Sequence, residues 1–455
     1  MRVMIVCAGV LMCVGAAWAQ APVLPLVTVG PVDGPVTIDG EIGGSEWAGA
    51  TGVGAFMELG GAHSPLCGCR VGADDRGLVL AWAVADTPTA ERRGRDGPLW
   101  LDDAVEVFLQ PGGSAEYYQV IVNAAGDVAD LRTRDASWNA DVEAAVGAGG
   151  GRWWAEVRIP WADLGGRPQW GDRWRVNFAC DVVGRKPLTW APMQAGFHEP
   201  ERFGEMRFSE GPRAGAFVVD RSDTMLMIAP TGGVRLDVTL LRGDEVVAQA
   251  VGQHHQPLWV LGIPEPGHYL LRLAGVTEGG EEVFRQEVPV YVKPPIELTL
   301  RKGLLEAMAV IVGIDAEKAD GVPESYRVAV NGEQVATVAA DPDEPRLASV
   351  TVSLAAIEPG EVTLAVEALA GGEVIAREET RFELPPQPAY VGSEIGMSDE
   401  LPAPWTPVEA EGDAVRCWGR EYAFDGRALP ARITTADAQV LAGPMRLVTV
   451  SGGRH

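Results

Sequence analysis

Gly97-Pro-Leu-Trp-Leu-Asp-Asp-Ala-Val-Glu-Val-Phe-Leu-Gln110 is the stretch that decides the fold class of this 455-residue chain. Val105, Val107 and Leu109 alternate with Glu106, Phe108 and Gln110, the period-two pattern of a β-strand. Trp100, Asp102 and Asp103 stand just ahead of it and add nothing that a strand requires. The same reading extends outward to strands over 78–85, 117–123, 153–159 and 173–181. Turn residues separate them at Asp74-Asp75-Arg76-Gly77, Pro111-Gly112-Gly113, Ala125-Gly126-Asp127 and Gly149-Gly150-Gly151. Short strands between polar turns, with almost no helical period, predict an all-β, multi-domain chain of β-sandwiches.

Tryptophan marks the first boundary. Ten of the fourteen lie from Trp47 to Trp190, so residues 31–209 read as one aromatic-rich unit. Residues 216–293 and 296–385 then read as a pair of immunoglobulin- or fibronectin-like spacers. In both, a Pro-Gly turn (Pro266-Gly267, Pro359-Gly360) leads into an alternating strand. A charged turn and a second strand follow, ending at Pro294-Pro295 or Pro385-Pro386. Residues 387–455 read as the start of a further β domain, and the stop at His455 reads as the truncation of a longer protein.

The N-terminus carries the signs of export. Arg2, the apolar run from Val3 to Ala17 and the small-x-small site Ala17-Trp18-Ala19 read as a signal peptide over 1–19, cut before Gln20. The run is too short for a membrane span, which takes roughly 20 apolar residues. The expected location is therefore secreted, periplasmic or extracellular. Cys67, Cys69, Cys180 and Cys417 remain in the mature chain. Cys67 or Cys69 could bridge to Cys180 in an oxidising compartment, or all could stay as buried thiols. A formal net charge of −26 and a pI near 4.6 argue against nucleic acid or an anionic membrane as partners. No nucleophile elbow, metalloprotease helix or phosphate-binding loop is present, so no catalytic residue is assigned.

Residues 31–209 carry six motifs in order. They are Ile38-Asp39-Gly40 with Glu46-Trp47, Trp100-Leu-Asp-Asp-Ala-Val-Glu106-Val-Phe-Leu, and Tyr118-Gln-Val-Ile-Val-Asn123. Trp154-Ala-Glu156-Val-Arg-Ile-Pro160-Trp161 and Gly171-Asp172-Arg-Trp174-Arg-Val-Asn177-Phe follow, then Trp190-Ala-Pro with Arg202-Phe-Gly-Glu. This unit resembles the family 9-like carbohydrate-binding modules, β-sandwiches related to DOMON domains. More faintly, Pro404-Trp405 through Leu429-Pro430 resembles the start of bacterial glycoside-hydrolase-like proteins.

The resemblance implies a sugar ring held between two tryptophans, with polar side chains around its hydroxyls. Apolar C–H faces stack on aromatic planes while hydroxyls need fixed partners. Carried over by position, Trp100 and Trp190 would form the clamp and Glu106 would accept from hydroxyls. Asn123 and Arg202 would complete the rim. No cofactor is required by this reading; the acid pairs Asp102-Asp103 and Asp74-Asp75 could hold calcium or simply cap turns. The implied partner is a poly- or oligosaccharide, and the implied role is to anchor a polysaccharide-degrading enzyme on glycan. Two other readings stand beside it: a DOMON-type haem binder using Met193 or His198, and a surface protein whose sandwiches only pack together.

Overall fold

The computed structural model describes residues 23–447 except 44, 223, 253–258, 303–308, 387–399 and 402. The leader over 1–19 and the pair His254-His255 lie outside the described residues. Among the described residues, regular structure is β apart from two short 3-10 turns, Leu99–Leu101 and Pro200–Arg202. The chain is all-β and built as β-sandwiches, as its alternation predicts. No described helix is long and apolar enough to cross a membrane. The chain divides into two compact units, Met1–Glu297 and Leu298–His455.

Two large sheets make the first unit. One runs, strand by hydrogen-bonded strand, through Glu245–Gly252, Arg235–Arg242, Gly267–Val276, Glu282–Val292, Leu26–Val29, Gly204–Phe208, Arg173–Asp181, Ala104–Gln110, Tyr118–Asn123 and Val128–Arg132. The other runs Trp259–Gly262, Met225–Gly232, Ala214–Arg221, Thr51–Gly54, Cys67–Ala73, Gly77–Val84, Arg152–Pro160 and Glu143–Gly149. Between them lies a core that includes Val71, Leu80, Trp82, Val107, Leu109, Val157, Ile159 and Val176.

Both sheets pass without a break from residues 31–209 into residues 216–293. Leu26–Val29 pairs in parallel with Gly204–Phe208 on one side and antiparallel with Glu282–Val292 on the other. Thr51–Gly54 pairs in parallel with Ala214–Arg221. The stretch 211–215, which reads as a linker, enters that strand at Ala214. Glycine permits the join: a Cβ on Gly54 would lie 2.2 Å from Phe217 Cδ1 and 2.6 Å from Phe217 Cα. Arg70 then covers the Phe217 ring, 5.2 Å from its centroid. Gly54→Ala is expected to push these two strands apart and cost about 1–3 kcal/mol, read by chemical denaturation.

Two motifs meet at the edge of the second sheet. Glu156 accepts from Trp47 Nε1 at 3.0 Å, Gly40 N at 2.9 Å and Asp39 N at 3.1 Å. Trp154 Nε1 donates to Gly40 O at 2.7 Å. These residues hold the N-terminal segment against the sheet. Cys67, Cys69 and Cys180 are buried free thiols rather than a bridge. A hydrogen bond with Cys67, reinforced by burial, pushes the Cys180 thiol well up.

In the second unit, Ala309–Asp315 pairs with Leu347–Ser353, and a four-stranded sheet follows the order Glu333–Ala339, Ser325–Val330, Gly360–Ala370, Glu373–Leu384. Alternate residues are buried, among them Val310, Val312, Tyr326, Val328, Leu364 and Val366. Both Pro-Gly hairpins form, Gly267–Val276 with Glu282–Val292 and Gly360–Ala370 with Glu373–Leu384. Gly267 and Gly360 open them at φ +145° and +139°, a backbone region that side chains disfavour. A five-stranded meander from Glu409–Glu411 to Ala438–Gln439 comes last, and none of its described residues is fully buried. Trp405 and Trp418 touch there with ring centroids 4.4 Å apart, both about half exposed.

Candidate functional site

Glu106 and Phe108 point away from Val105, Val107 and Leu109, because successive strand residues face opposite sides of a sheet. Yet both are buried, at 2% and 0% exposure. The segment between Arg173–Asp181 and Gly204–Phe208 folds back over this second face. Asn177 Oδ1 fastens it, accepting from Thr189 Oγ1 at 3.1 Å and Ala191 N at 2.9 Å. Leu59 N donates to Pro187 O at 2.8 Å. Rings from the segment then gather on Phe108, with centroids of Phe197 at 5.9 Å, His198 at 5.5 Å and Phe203 at 5.7 Å.

The fold-back leaves a cavity of about 480 Å³ beside Phe108's neighbours. Trp100, Phe197, Leu131 and Pro187 supply its apolar walls, and Glu106, Gln119, Asp181, His198 and Arg134 its polar groups. Trp100 sits on the Leu99–Leu101 turn, where buried Leu99 anchors the backbone and leaves the indole 55% exposed. An indole held in water beside a cavity by its own backbone is surplus to packing.

The floor is acidic. Gln119 Nε2 donates to Glu106 Oε2 at 2.8 Å, and Glu106 also hydrogen-bonds Asp181. Burial raises the Glu106 carboxyl above its usual range, opposed by these two hydrogen bonds. Burial first, and then the Glu106 charge, push Asp181 well up. Both shifts run the same way, because adjacent buried carboxylates cannot both ionise cheaply, and the pair favours sharing a proton. Asp181 Oδ2 and Gln119 Oε1 are buried acceptors with no partner among the described residues. His198 Nδ1 lies 2.8 Å from the Tyr117 hydroxyl, and burial, then Arg134, lower its pKa and keep it neutral.

Of the residues expected at the site, Trp100 and Glu106 meet at this cavity and the other three do not. Trp190 is wholly buried and packs edge-on against Phe178 with centroids 5.4 Å apart. A Cβ on Gly204 would lie 2.5 Å from its ring. It is a core residue with no face for a ligand. Asn123 is also buried; its Nδ2 donates to Asp102 Oδ2 and to Glu91 O, each at 3.0 Å, and its Oδ1 accepts from Asp127 N at 2.9 Å. Arg202 donates to Pro192 O at 3.1 Å and pairs with Glu199 at 3.3 Å.

The acid pairs have partners of their own. Arg93 grips Asp102 through two bonds of 2.7 Å, while Asp103 accepts from Thr89 N and Val183 N. Asp74 accepts from Arg76 N, Gly77 N and Arg158 Nε. Met193 is buried in the core and does not line the cavity, whereas His198 does. Gln119, Asp181, Phe197 and Arg134 are additions from the structure. Gln119 and Asp181 sit in strands where alternation hides the meaning of a lone polar residue.

Residues 38–210 match the family described as carbohydrate family 9 binding domain-like. Among solved structures, this chain is similar to a Bacteroides uniformis protein classed provisionally as carbohydrate-binding. They share 19% identity over 40% of this chain and 98% of that one, with a TM-score of 0.34. It is also similar to a family 9 carbohydrate-binding module of Caldicellulosiruptor kristjanssonii in complex with cellotriose, at 16% identity, 41% and 94% coverage and a TM-score of 0.31. A structure with glucose from the same organism's family 9 module gives 16% identity, 40% and 96% coverage and a TM-score of 0.31. No curated protein matches the chain. Every residue that lines the cavity falls within the matched residues 38–210.

Proposed function

We propose that the family 9-like domain binds carbohydrate at this cavity, with a pyranose ring stacked on Trp100. The observation that carries the reading is the half-exposed indole standing beside a floor of buried, unpartnered acceptors. A sugar offers both an apolar face for the ring and hydroxyl donors for Asp181 Oδ2 and Gln119 Oε1. Phe197, rather than Trp190, supplies the second aromatic wall. The match of residues 38–210 to the carbohydrate family 9 binding domain-like family supports this class of ligand.

The wider reading rests on the sequence. The proposed leader over 1–19 would send it to the periplasm or the exterior. There the first unit would hold an attached polysaccharide-degrading enzyme on its glycan. Fluorescence titration of the full chain with a panel of mono- and oligosaccharides tests the binding. The expected result is a saturable change that Trp100→Ala removes. A folded chain that responds to no sugar in the panel would sink the reading.

A further inference from the structure

The polar groups on the floor of the cavity are mainly acceptors, set beside apolar Ile121. Gln119 is 5% exposed; one N–H of its amide donates to Glu106, and its Oε1 is buried and unpartnered. Asp181 Oδ2 is in the same state, and Glu106 lies between them on Ala104–Gln110, the strand that pairs with Tyr118–Asn123 on one side and Arg173–Asp181 on the other. Two carboxyls and a carboxamide oxygen facing one small space, with an indole at its side, describe a particular ligand. We infer that the cavity prefers amino sugars, which carry an ammonium group on the ring, over neutral sugars of the same shape. This rests on the sugar-binding reading and specifies its ligand class.

Both kinds of sugar could donate to these acceptors, so the discrimination lies in charge. Without ligand, burial and mutual repulsion favour a proton shared between Glu106 and Asp181. An ammonium group arriving between them supplies three N–H donors and a positive charge. The shared proton then leaves to solvent, both carboxylates are ionised, and charge-assisted N–H···O bonds replace the O–H···O bond. A neutral hydroxyl cannot displace that proton. Asp103, beside Asp181, holds positive charge in the site whether it is the proton or the ammonium, and His198 adds no competing charge. Among the described residues, Arg134 is the one cationic side chain lining the cavity, and it is exposed. The face of Trp100 also attracts a cation.

Calorimetric titration of the full chain with glucosamine, glucose and N-acetylglucosamine, slightly below neutral pH, tests the inference. Glucosamine is expected to bind about tenfold or more tightly than glucose. Its heat should differ between phosphate and Tris buffers, reporting one released proton, while that of glucose should not. Glu106→Gln and Asp181→Asn should each bring the glucosamine-to-glucose affinity ratio to one or below. Glucose bound as tightly as glucosamine would overturn the amino-sugar preference and leave sugar binding standing. No heat from any of these sugars or from cello-oligosaccharides, with a folded chain, would overturn the sugar reading itself.

Discussion

A chain ended at residue 212 is expected to lose cooperative unfolding, while one ended at residue 297 keeps it. The domain matched by the family stops near residue 210, yet its two sheets do not. Cutting there removes the partner of Leu26–Val29 along the Leu26↔Arg285 and Val27↔Phe284 register. It takes away Val283 O, which accepts from Thr28 Oγ1 at 2.7 Å inside the protein. Gln286, whose Nε2 donates to Ala55 O at 2.6 Å and Trp190 O at 3.3 Å, goes as well. So does Pro289 O, the acceptor for His63 N at 2.6 Å. Ala55 and Met57 lose their packing against Ala216, Ile228 and Phe284.

Each fully buried aliphatic or aromatic side chain so exposed costs about 1.5–3 kcal/mol. Total stability of a domain is only about 5–15 kcal/mol, so a handful of such losses is enough. The two sheet edges laid bare would also invite association between copies. Thermal melting by circular dichroism and size-exclusion chromatography decide it. A monodisperse 23–212 fragment with a sharp transition would show that the shared strands contribute little.

How much of this was legible beforehand depended on whether a signal was local. Alternation along Ala104–Gln110 and the turn residues around it are local, and they led to strands close to those observed. The repeated Pro-Gly hairpins are local too, down to the two glycines at positive φ. The continuation of both sheets past residue 212 is not, because it depends on parallel pairing through Gly54 and Phe217, far apart in sequence. At the site, Trp100 was recognisable as surplus to its strand. Glu106 was placed at the ligand, but its burial was hidden. Alternation puts it on the face opposite Val105, Val107 and Leu109, and the fold-back of residues 182–203 covers that face. Trp190 sits in that same segment beside prolines, where the sequence suggests a surface loop. The bonds from Thr189 and Ala191 to Asn177 pull it inward instead.

Trp100→Ala and Trp190→Ala are therefore expected to fail in opposite ways. Trp100 is anchored by its buried neighbour Leu99 and makes its own indole available to solvent. Removing the indole should leave stability within about 0.5 kcal/mol. Sugar affinity should fall by about 2 kcal/mol or more, as for a central aromatic anchor, which is a loss of roughly 30-fold. Trp190 presents no surface, so its replacement opens a cavity against Phe178 and Gly204 and should cost about 3–5 kcal/mol of stability. Denaturant midpoints and fluorescence titrations on both variants separate the two roles. Should Trp190→Ala melt like the parent chain and yet lose the sugar, the second wall of the site would be Trp190 after all, and the place given to Phe197 would be wrong.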